Sequence, residues 1–276
     1  MRRAMRSSCG RSRSARSLLA VALLGLIAAA ALGIGAARLF RPSPARIQGV
    51  SVVARLPHDP EAYTQGLLFH AGRFYESTGR HGVSSLREVD PASGEVLRRA
   101  DLSWQLFGEG LALHGSRLYQ ATWETGELRV YDLATFEYLR SFRYEGEGWG
   151  LAAAGDELAL SDGTDLLRFL DPRTGNEVRR VEVRDEGRAV TRLNELELVE
   201  GELWANVWKT EWIARIDPAS GEVVGWIDLR GLYPYERLPD PEAVPNGIAY
   251  DPDERRLFLT GKLWPVLFEV ELAPVK

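Results

Sequence analysis

At 276 residues, the chain is long enough for one large β domain or two ordinary domains, and its 45% hydrophobic and 26% charged residues are typical of a globular protein. The net charge of -5 and the lack of a basic run beyond the N-terminus argue against a nucleic-acid partner, because phosphate-binding surfaces cluster Lys and Arg. The single cysteine, Cys9, lies near the N-terminus, which excludes a disulfide framework or zinc finger from the rest of the chain. The four histidines are scattered, and we therefore predict no metal site and no cofactor.

The N-terminal segment has the pattern of an export signal. Residues 1–16 form a basic region with six arginines and no acidic residue, and residues 17–38 contain an unbroken run of apolar and small residues. The run over residues 18–37 also suffices, at about 1.5 Å per residue, to cross a hydrocarbon core of roughly 30 Å. Its length favours an uncleaved transmembrane anchor over a cleaved signal peptide, with the arginines on the cytoplasmic side. We therefore predict a linker over residues 39–47 and an exported domain over residues 48–276, on the periplasmic or extracellular face.

A short unit recurs five times in the rest of the chain. Each copy has a polar or aromatic lead residue, usually followed by a glycine, and then a short apolar strand. The lead residues lie 44, 40, 45 and 52 positions apart, and they are Gln65, Glu109, Trp149, Asn194 and Asn246. Each copy continues with a turn and a second strand, and four copies carry a further turn that begins with aspartate. A period of this length predicts a propeller-like array.

Four strands in each of five repeats predict an all-β fold, a five-bladed β-propeller. The fifth repeat has no second Asp-Pro turn after Lys262, so it lacks an outer strand. Residues 50–56 are rich in β-branched side chains and are predicted to supply that strand, which closes the ring with strands from both termini. The alternative fold is an open β-sandwich, which the five-fold period disfavours. A closed ring has no obvious need of a partner, and we expect a monomer.

Hairpin geometry places the start of the first strand of each repeat beside the end of the second strand. Each lead residue then has a neighbour 14 positions later, or 16 in the last repeat, and these neighbours are Gly79, Trp123, Gly163, Trp208 and Lys262. All ten positions should face one mouth of the propeller near its axis. That mouth would hold one carboxylate, one lysine, three tryptophans and three side-chain amides, and it is the candidate functional site.

Several of these residues also have a purely structural interpretation. A tryptophan in a blade more often packs in the core, but three of them beside polar leads favour a binding role for Trp123, Trp149 and Trp208. Lys262 follows a glycine and precedes an apolar stretch. It is therefore either a buried functional group or a solvated surface group, and the sequence leaves both interpretations open. Glu109 is flanked by glycines, and it is either a reactive carboxyl or a turn residue. Three loop carboxylates show no recognisable constellation, and they are Glu186, Asp240 and Glu242.

Seven motifs occur in order along the chain: Tyr63-Thr64-Gln65-Gly66-Leu67, Phe107-Gly108-Glu109-Gly110, Ala121-Thr122-Trp123, Gly148-Trp149-Gly150-Leu151, Leu193-Asn194-Glu195-Leu196, Ala205-Asn206-Val207-Trp208 and Leu259-Thr260-Gly261-Lys262-Leu263-Trp264-Pro265. Together they resemble the plant and bacterial glutaminyl-peptide cyclotransferases, which are five-bladed propellers. The resemblance covers about residues 63–272. It implies conversion of the N-terminal glutamine of peptides and proteins to pyroglutamate, with release of ammonia.

The resemblance also implies a set of active-site residues, which are Tyr63, Gln65, Phe107, Glu109, Trp123, Trp149, Asn194, Trp208 and Lys262. Of these, Glu109, Asn194 and Lys262 are predicted to be catalytic and the others to bind the substrate. The repeat geometry selects the same residues apart from Tyr63 and Phe107, and it adds Asn246 as a substrate-binding candidate. Tyr63 departs from the plant enzyme, which has phenylalanine at that position.

The implied reaction is an intramolecular acyl transfer, in which the α-amine of glutamine attacks its own side-chain amide. We hypothesise that Glu109 takes a proton from the amine and delivers one to the departing ammonia. Asn194, Lys262 and a tryptophan N–H would hold the amide and the developing oxyanion. Two alternatives stay open: a non-catalytic propeller that binds a peptide or glycan through its tryptophans, and a calcium-dependent propeller hydrolase. The latter would need several converging oxygen ligands, and the ring of lead residues offers one carboxylate.

Overall fold

A computed structural model describes residues 46–275 of the chain. The predicted basic region, the signal or anchor segment and nearly all of the predicted linker lie outside these residues. Helix is nearly absent from the described part, where a three-residue 3-10 helix spans Tyr235–Arg237. None of the helices in this range is long and apolar enough to cross a membrane. The prediction of an all-β fold is therefore confirmed.

The strands form blade-like antiparallel groups of four in chain order, three of which are separate sheets. An N-terminal strand, β1 (Ile47–Pro57), precedes them, and the first group contains β2 (Thr64–His70), β3 (Arg73–Thr78), β4 (Ser85–Val89) and β5 (Val96–Asp101). The second contains β6 (Gly108–His114), β7 (Arg117–Thr122), β8 (Glu127–Asp132) and β9 (Tyr138–Arg143). The third contains β10 (Leu151–Ala154), β11 (Glu157–Leu160), β12 (Leu166–Leu170) and β13 (Glu177–Glu182).

An eight-stranded sheet contains the remaining two groups. The fourth group is β16 (Leu193–Val199), β17 (Glu202–Val207), β18 (Trp212–Ile216) and β19 (Val223–Asp228). The fifth group is β20 (Pro245–Asp251), β21 (Arg256–Gly261), β22 (Val266–Pro274) and β1 (Ile47–Pro57). A short hairpin of β14 (Arg184–Asp185) and β15 (Arg188–Ala189) precedes the fourth group.

Strand β1 supplies the outer strand of the fifth group, as the sequence predicted for residues 50–56. It runs antiparallel to β22, with Val50 opposite Leu272. It begins three residues earlier than predicted, and this extension runs parallel to β19, where Ile47 pairs with Trp226. The N-terminal strand therefore joins the last two groups and leaves β22 without a free edge.

The hydrophobic core lies between neighbouring groups, because each sheet turns an apolar face to the next one. Tyr119 and Leu128 of the second group, for example, share a buried cluster with Leu158 of the third. The fifth and first groups share another cluster, in which Phe258 packs near Phe74 with ring centroids 5.0 Å apart. Packing thus continues from the last group back to the first.

The first strands of the five groups lie innermost. They are β2, β6, β10, β16 and β20, and each contacts the next while β20 contacts β2. The glycine after the lead residue permits this approach, since a Cβ on Gly66 would lie 2.9 Å from the Cβ of Leu111. The fourth repeat has Glu195 at this position, and its buried carboxyl accepts N–H bonds from Leu67 and Ile248 at 3.3 and 2.9 Å. Glu195 therefore joins β16 to β2 and β20 at the centre.

Candidate active site

A β-bulge lies at the lead residue in four of the five inner hairpins. The register irregularities fall at Gln65, Glu109, Asn194 and Asn246. A bulge re-aims the side chain at which it occurs, and bulges are common beside functional sites. Trp149 differs from the others because β10 begins only at Leu151. The repeated apolar residues thus form the inner strand, and the bulge takes the lead residue out of the regular alternation of side chains along that strand.

The predicted neighbours of the lead residues are found where hairpin geometry places them. In four repeats the neighbour's backbone N–H donates to the carbonyl two residues before the lead; the pairs are Gly79 to Tyr63, Trp123 to Phe107, Trp208 to Arg192 and Lys262 to Val244, at 2.8 to 3.1 Å. In the third repeat, Gly163 donates instead to Leu193 at 3.2 Å. Gly163 still packs on its lead, since a Cβ there would lie 2.7 Å from the Trp149 ring.

These residues surround a cavity of about 320 Å³ at one end of the inner strands. Its lining consists of Tyr63, Gln65, Phe107, Glu109, Trp123, Trp149, Asn194, Trp208, Glu242 and Lys262. Nine of the ten residues predicted for the site are in this set. The exception is Asn246, which is fully buried behind the lining. A larger cavity, about 540 Å³, lies at the opposite ends of these strands and contains no predicted site residue.

Glu109 is the buried carboxyl of the cavity, with 4% of its surface exposed. Its Oε1 accepts a hydrogen bond from Gln65 Nε2 at 2.8 Å, and its Oε2 has no hydrogen-bond partner among residues 46–275. Burial raises the pKa of Glu109 well above its ordinary value of 4.5, while the charge of Lys262 opposes the rise and that of Glu147 adds to it. A carboxyl with a raised pKa is a stronger base than an ordinary glutamate and is suited to exchange a proton with a substrate amine.

The Gln65 amide orients this carboxyl. Its Nε2 donates to Glu109, and its Oε1 accepts a hydrogen bond from Asn246 Nδ2 at 3.3 Å. Asn246 Nδ2 also donates to the Thr64 carbonyl at 2.9 Å, which fixes the asparagine against β2. Asn246 therefore lies behind Gln65 and reaches the cavity through it, while its predicted role in substrate binding stays a prediction.

Lys262 lies on the short turn after β21 and is 3% exposed. Its Nζ lies 4.9 Å from the ring centroid of Tyr63, which provides a cation–π contact. Burial lowers the pKa of Lys262, and attraction to Glu109 and Glu242 partly offsets this. The side chain of Asn194 completes the polar part of the lining, and its backbone carbonyl accepts a hydrogen bond from Ser161 at 2.8 Å.

Two sets of aromatic rings form the rest of the wall. Phe107 packs edge-on against Tyr63 and against Trp123, with ring centroids 6.1 and 5.5 Å apart. Trp149 and Trp208 form a second edge-on pair at 5.5 Å. Edge-on pairs fix the rings relative to one another, so the wall is largely preformed. Burial also raises the pKa of Tyr63, whose hydroxyl stays protonated at neutral pH.

All three indole N–H groups of the lining have carboxylate partners, whereas the hypothesis from the sequence assigned one of them to the substrate amide. Trp123 and Trp149 both donate to Oε2 of Glu147, each at 2.8 Å. Trp208 donates to Oε2 of Glu242 at 3.2 Å, and Glu242 also forms an ion pair with Lys209 at 2.6 Å. Carboxylates satisfy all three donors, so the tryptophans offer the cavity their ring faces and edges.

Two carboxylates at the cavity, Glu147 and Glu242, are not among the residues predicted for the site. A signal for Glu147 was present, because it lies two residues before Trp149, the offset that separates Tyr63 and Phe107 from their own leads. Glu242 lies in the long connection between β19 and β20, where no periodicity applies. Within residues 46–275, no group of three or more His, Cys, Asp or Glu side chains is arranged to hold a metal ion.

Blade-like antiparallel sheets surround an aromatic cavity that contains a carboxyl of raised pKa and a lysine of lowered pKa, and such perturbed groups in a cleft are typical of the active site of an enzyme. A family model described as glutamine cyclotransferase matches residues 18–272. The chain therefore belongs to the glutamine cyclotransferase family, as its motifs predicted.

Two relatives agree with this assignment. A glutaminyl-peptide cyclotransferase of Arabidopsis thaliana is 47% identical over 237 residues, which cover 82% of this chain and 72% of the plant protein. The crystal structure of Myxococcus xanthus glutaminyl cyclase matches with a TM-score of 0.79 and 40% identity. That match covers 86% of this chain and 100% of the bacterial chain.

Proposed function

We propose that this chain converts the N-terminal glutamine of peptides and proteins to pyroglutamate and releases ammonia. The observation that carries the proposal is the Glu109 carboxyl, which has a raised pKa and an unpartnered Oε2 among the described residues, in an aromatic cavity. Cyclisation needs such a group, because a proton must leave the attacking amine and a proton must reach the departing ammonia. The family and the names of both relatives support the same reaction.

The substrate contributes both reacting groups, so the cavity must hold glutamine in a folded rotamer. The nitrogen of the α-amine attacks the side-chain carbonyl carbon, and Glu109 in its carboxylate form takes a proton from that nitrogen. The tetrahedral intermediate then breaks its bond to the amide nitrogen. Glu109 returns the proton to that nitrogen, and ammonia leaves. The carboxyl thus ends the cycle as it began, and no other proton carrier is required.

Lys262 and Asn194 would stabilise the oxyanion of the intermediate, because both line the cavity and carry N–H donors that no carboxylate of residues 46–275 hydrogen-bonds. Gln65 would orient Glu109 through the 2.8 Å hydrogen bond described above. The aromatic residues Tyr63, Phe107, Trp123, Trp149 and Trp208 would enclose the glutamine side chain and exclude water.

We also propose that the domain is a closed five-bladed propeller and that it is exported. Five groups of four strands, with packing that continues from the fifth to the first, support a closed five-bladed propeller. We expect this domain to act as a monomer outside the cytoplasm. The basic residues 1–16 and the apolar residues 18–37 would direct export and, if uncleaved, anchor the domain at the periplasmic or extracellular face.

The full chain tests the proposal with a dipeptide that begins with glutamine, in the presence and absence of EDTA. We expect stoichiometric ammonia release and loss of the primary amine, both unaffected by EDTA. The same dipeptide with an acetylated amine is the matched control and should release no ammonia. Binding without ammonia release would indicate the non-catalytic peptide-binding alternative, and activity abolished by EDTA would indicate a calcium-dependent enzyme.

A further inference from the structure

Glu147 occupies an unusual place beside the cavity, because a single oxygen of its carboxylate accepts two indole N–H groups. Trp123 Nε1 and Trp149 Nε1 each lie 2.8 Å from Glu147 Oε2. The two indoles come from different repeats, since Trp123 follows β7 and Trp149 precedes β10. Glu147 itself is exposed on the loop between β9 and β10, at the same end of the strands as the cavity.

An indole has one hydrogen-bond donor, so its partner determines which edge of the ring faces the cavity. Here the partner is an ionised acceptor, whose hydrogen bonds are shorter and stronger than those of a neutral one. Each indole also packs on a second ring, Trp123 on Phe107 and Trp149 on Trp208, both at 5.5 Å. Glu147 therefore connects the two aromatic sets that form the wall.

The charge of Glu147 also reaches the buried carboxyl. Two charged groups act on Glu109: Lys262 lowers its pKa, and Glu147 raises it. Glu147 thus opposes the effect of the lysine without any direct hydrogen bond to Glu109.

We propose that Glu147 is a positioning residue for the cyclisation, which fixes the Trp123 and Trp149 indoles as neighbouring walls of the substrate cavity. This rests on the proposed function for the identity of the substrate. The two hydrogen bonds hold the rings in their binding orientation before the substrate arrives, so the enzyme loses less conformational freedom on binding.

Three variants of the full chain separate geometry from charge. Glu147→Gln keeps a side-chain oxygen that can accept both N–H groups but removes the charge, while Glu147→Ala removes both. Glu145→Gln is the matched control, because Glu145 is exposed on the same loop and accepts neither indole N–H. We expect Glu147→Ala to raise KM about tenfold, the size of one charge-assisted hydrogen bond, with a smaller change in kcat.

Glu147→Gln should keep KM within about twofold of the wild type, since a neutral acceptor retains most of the geometry. Its acidic limb of kcat/KM against pH should move to lower pH, because the charge that raises the Glu109 pKa is gone. Glu145→Gln should change neither quantity. An unchanged KM in Glu147→Ala, or equal KM increases in the Ala and Gln variants, would overturn the proposal.

A measurement made without substrate tests the positioning role of Glu147 independently of the proposed reaction. In ¹H–¹⁵N spectra, the indole N–H signals of Trp123 and Trp149, assigned by Trp→Phe variants, should shift upfield in Glu147→Ala and move little in Glu147→Gln. If the wild type releases no ammonia from the dipeptide, the proposed function fails while these shifts still report on positioning. If ammonia is released and the two signals are the same in the Ala variant, the positioning role alone is refuted.

Discussion

Gly163→Ala tests whether the third repeat holds its lead tryptophan through the absence of a side chain. A Cβ at Gly163 would lie 2.7 Å from Trp149 Cη2, inside the 3.4 Å at which ordinary van der Waals contact begins. Gly155 provides a matched control in the same repeat. It also has a positive φ, 65° against 80° for Gly163, but a Cβ there would meet nothing within 4 Å.

The two substitutions share their backbone effects. Both alanines enter the left-handed region at a cost of roughly 1–2 kcal/mol, and both reduce the entropy of the unfolded chain by about the same amount. Gly163→Ala adds an overlap with the Trp149 ring, and overpacking of this kind costs roughly 1–3 kcal/mol unless the ring moves. If the ring moves, its N–H loses the 2.8 Å hydrogen bond to Glu147 and the cavity wall changes.

Thermal unfolding and steady-state kinetics measure the two outcomes together. We expect the Gly163 variant to unfold roughly 2–12 °C below the Gly155 variant, since 1 kcal/mol corresponds to about 2–4 °C for a domain of this size. If the Trp149 ring moves to relieve the overlap, the difference in unfolding midpoint should be smaller and the KM of the Gly163 variant should be higher than that of the Gly155 variant. Equal midpoints together with equal KM values in the two variants would refute the packing of Gly163 on Trp149.

Three further changes probe the buried charges. Glu109→Gln should lower kcat by roughly 10²–10⁴ in the ammonia assay, the usual contribution of a general acid–base group, and leave the fold intact because a neutral amide suits the buried site. Lys262→Met should move the acidic limb of kcat/KM against pH to higher pH, since the lysine charge lowers the Glu109 pKa. His58→Gln should lower the unfolding temperature most at acidic pH. His58 hydrogen-bonds a carbonyl and a carboxylate, at 2.6 and 3.0 Å, so both ring nitrogens must donate.

The raised pKa of His58 determines how its contribution to stability changes with pH. Burial opposes the charged ring, but the charge and hydrogen bond of Glu76 outweigh it and raise the pKa of His58 above 6.5. Its stabilising effect is complete below about pH 6.5 and is lost as the pH rises through the raised pKa. A stability difference that grows with pH would contradict this assignment. A kcat of Glu109→Gln within tenfold of the wild type would contradict the role of Glu109 as the acid–base group. An acidic limb that does not move in Lys262→Met would contradict the effect of the lysine charge on the Glu109 pKa.

The sequence was informative about the site because the repeat and its exceptions have separate physical causes. A glycine follows the lead in four repeats because neighbouring inner strands approach closely, and the apolar strand recurs because every sheet needs a core. The lead residue varies because four of the five leads, Gln65, Glu109, Trp149 and Asn194, line one asymmetric cavity. A bulge lies at three of these four leads. Hairpin geometry could therefore pair Glu109 with Trp123 and Asn194 with Trp208 without any coordinates.

What the sequence did not provide was the direction of side chains and their partners. Asn246 follows the same pattern as Asn194, yet its amide turns to the Thr64 carbonyl and to Gln65. The indole donors could be counted from the sequence, but Glu242, the acceptor for Trp208, comes from a connection outside the repeat pattern. Glu195 likewise breaks the glycine pattern, and its role in joining three inner strands depends on contacts between repeats that are far apart in sequence.

The opposing pKa shifts explain why a lysine can lie near the proposed base. The protonated α-amino group of a peptide has a pKa of about 7.7–8.0, so transfer of its proton to a glutamate with the ordinary value of 4.5 would cost roughly 4.5 kcal/mol. Burial raises the Glu109 pKa and reduces that penalty, while Lys262 acts against it. The lysine is useful only if its charge stabilises the oxyanion more than it weakens the base. Glu147 adds to the basicity of Glu109 from the rim, so the proposed chemistry depends on three charges of which the sequence identified two.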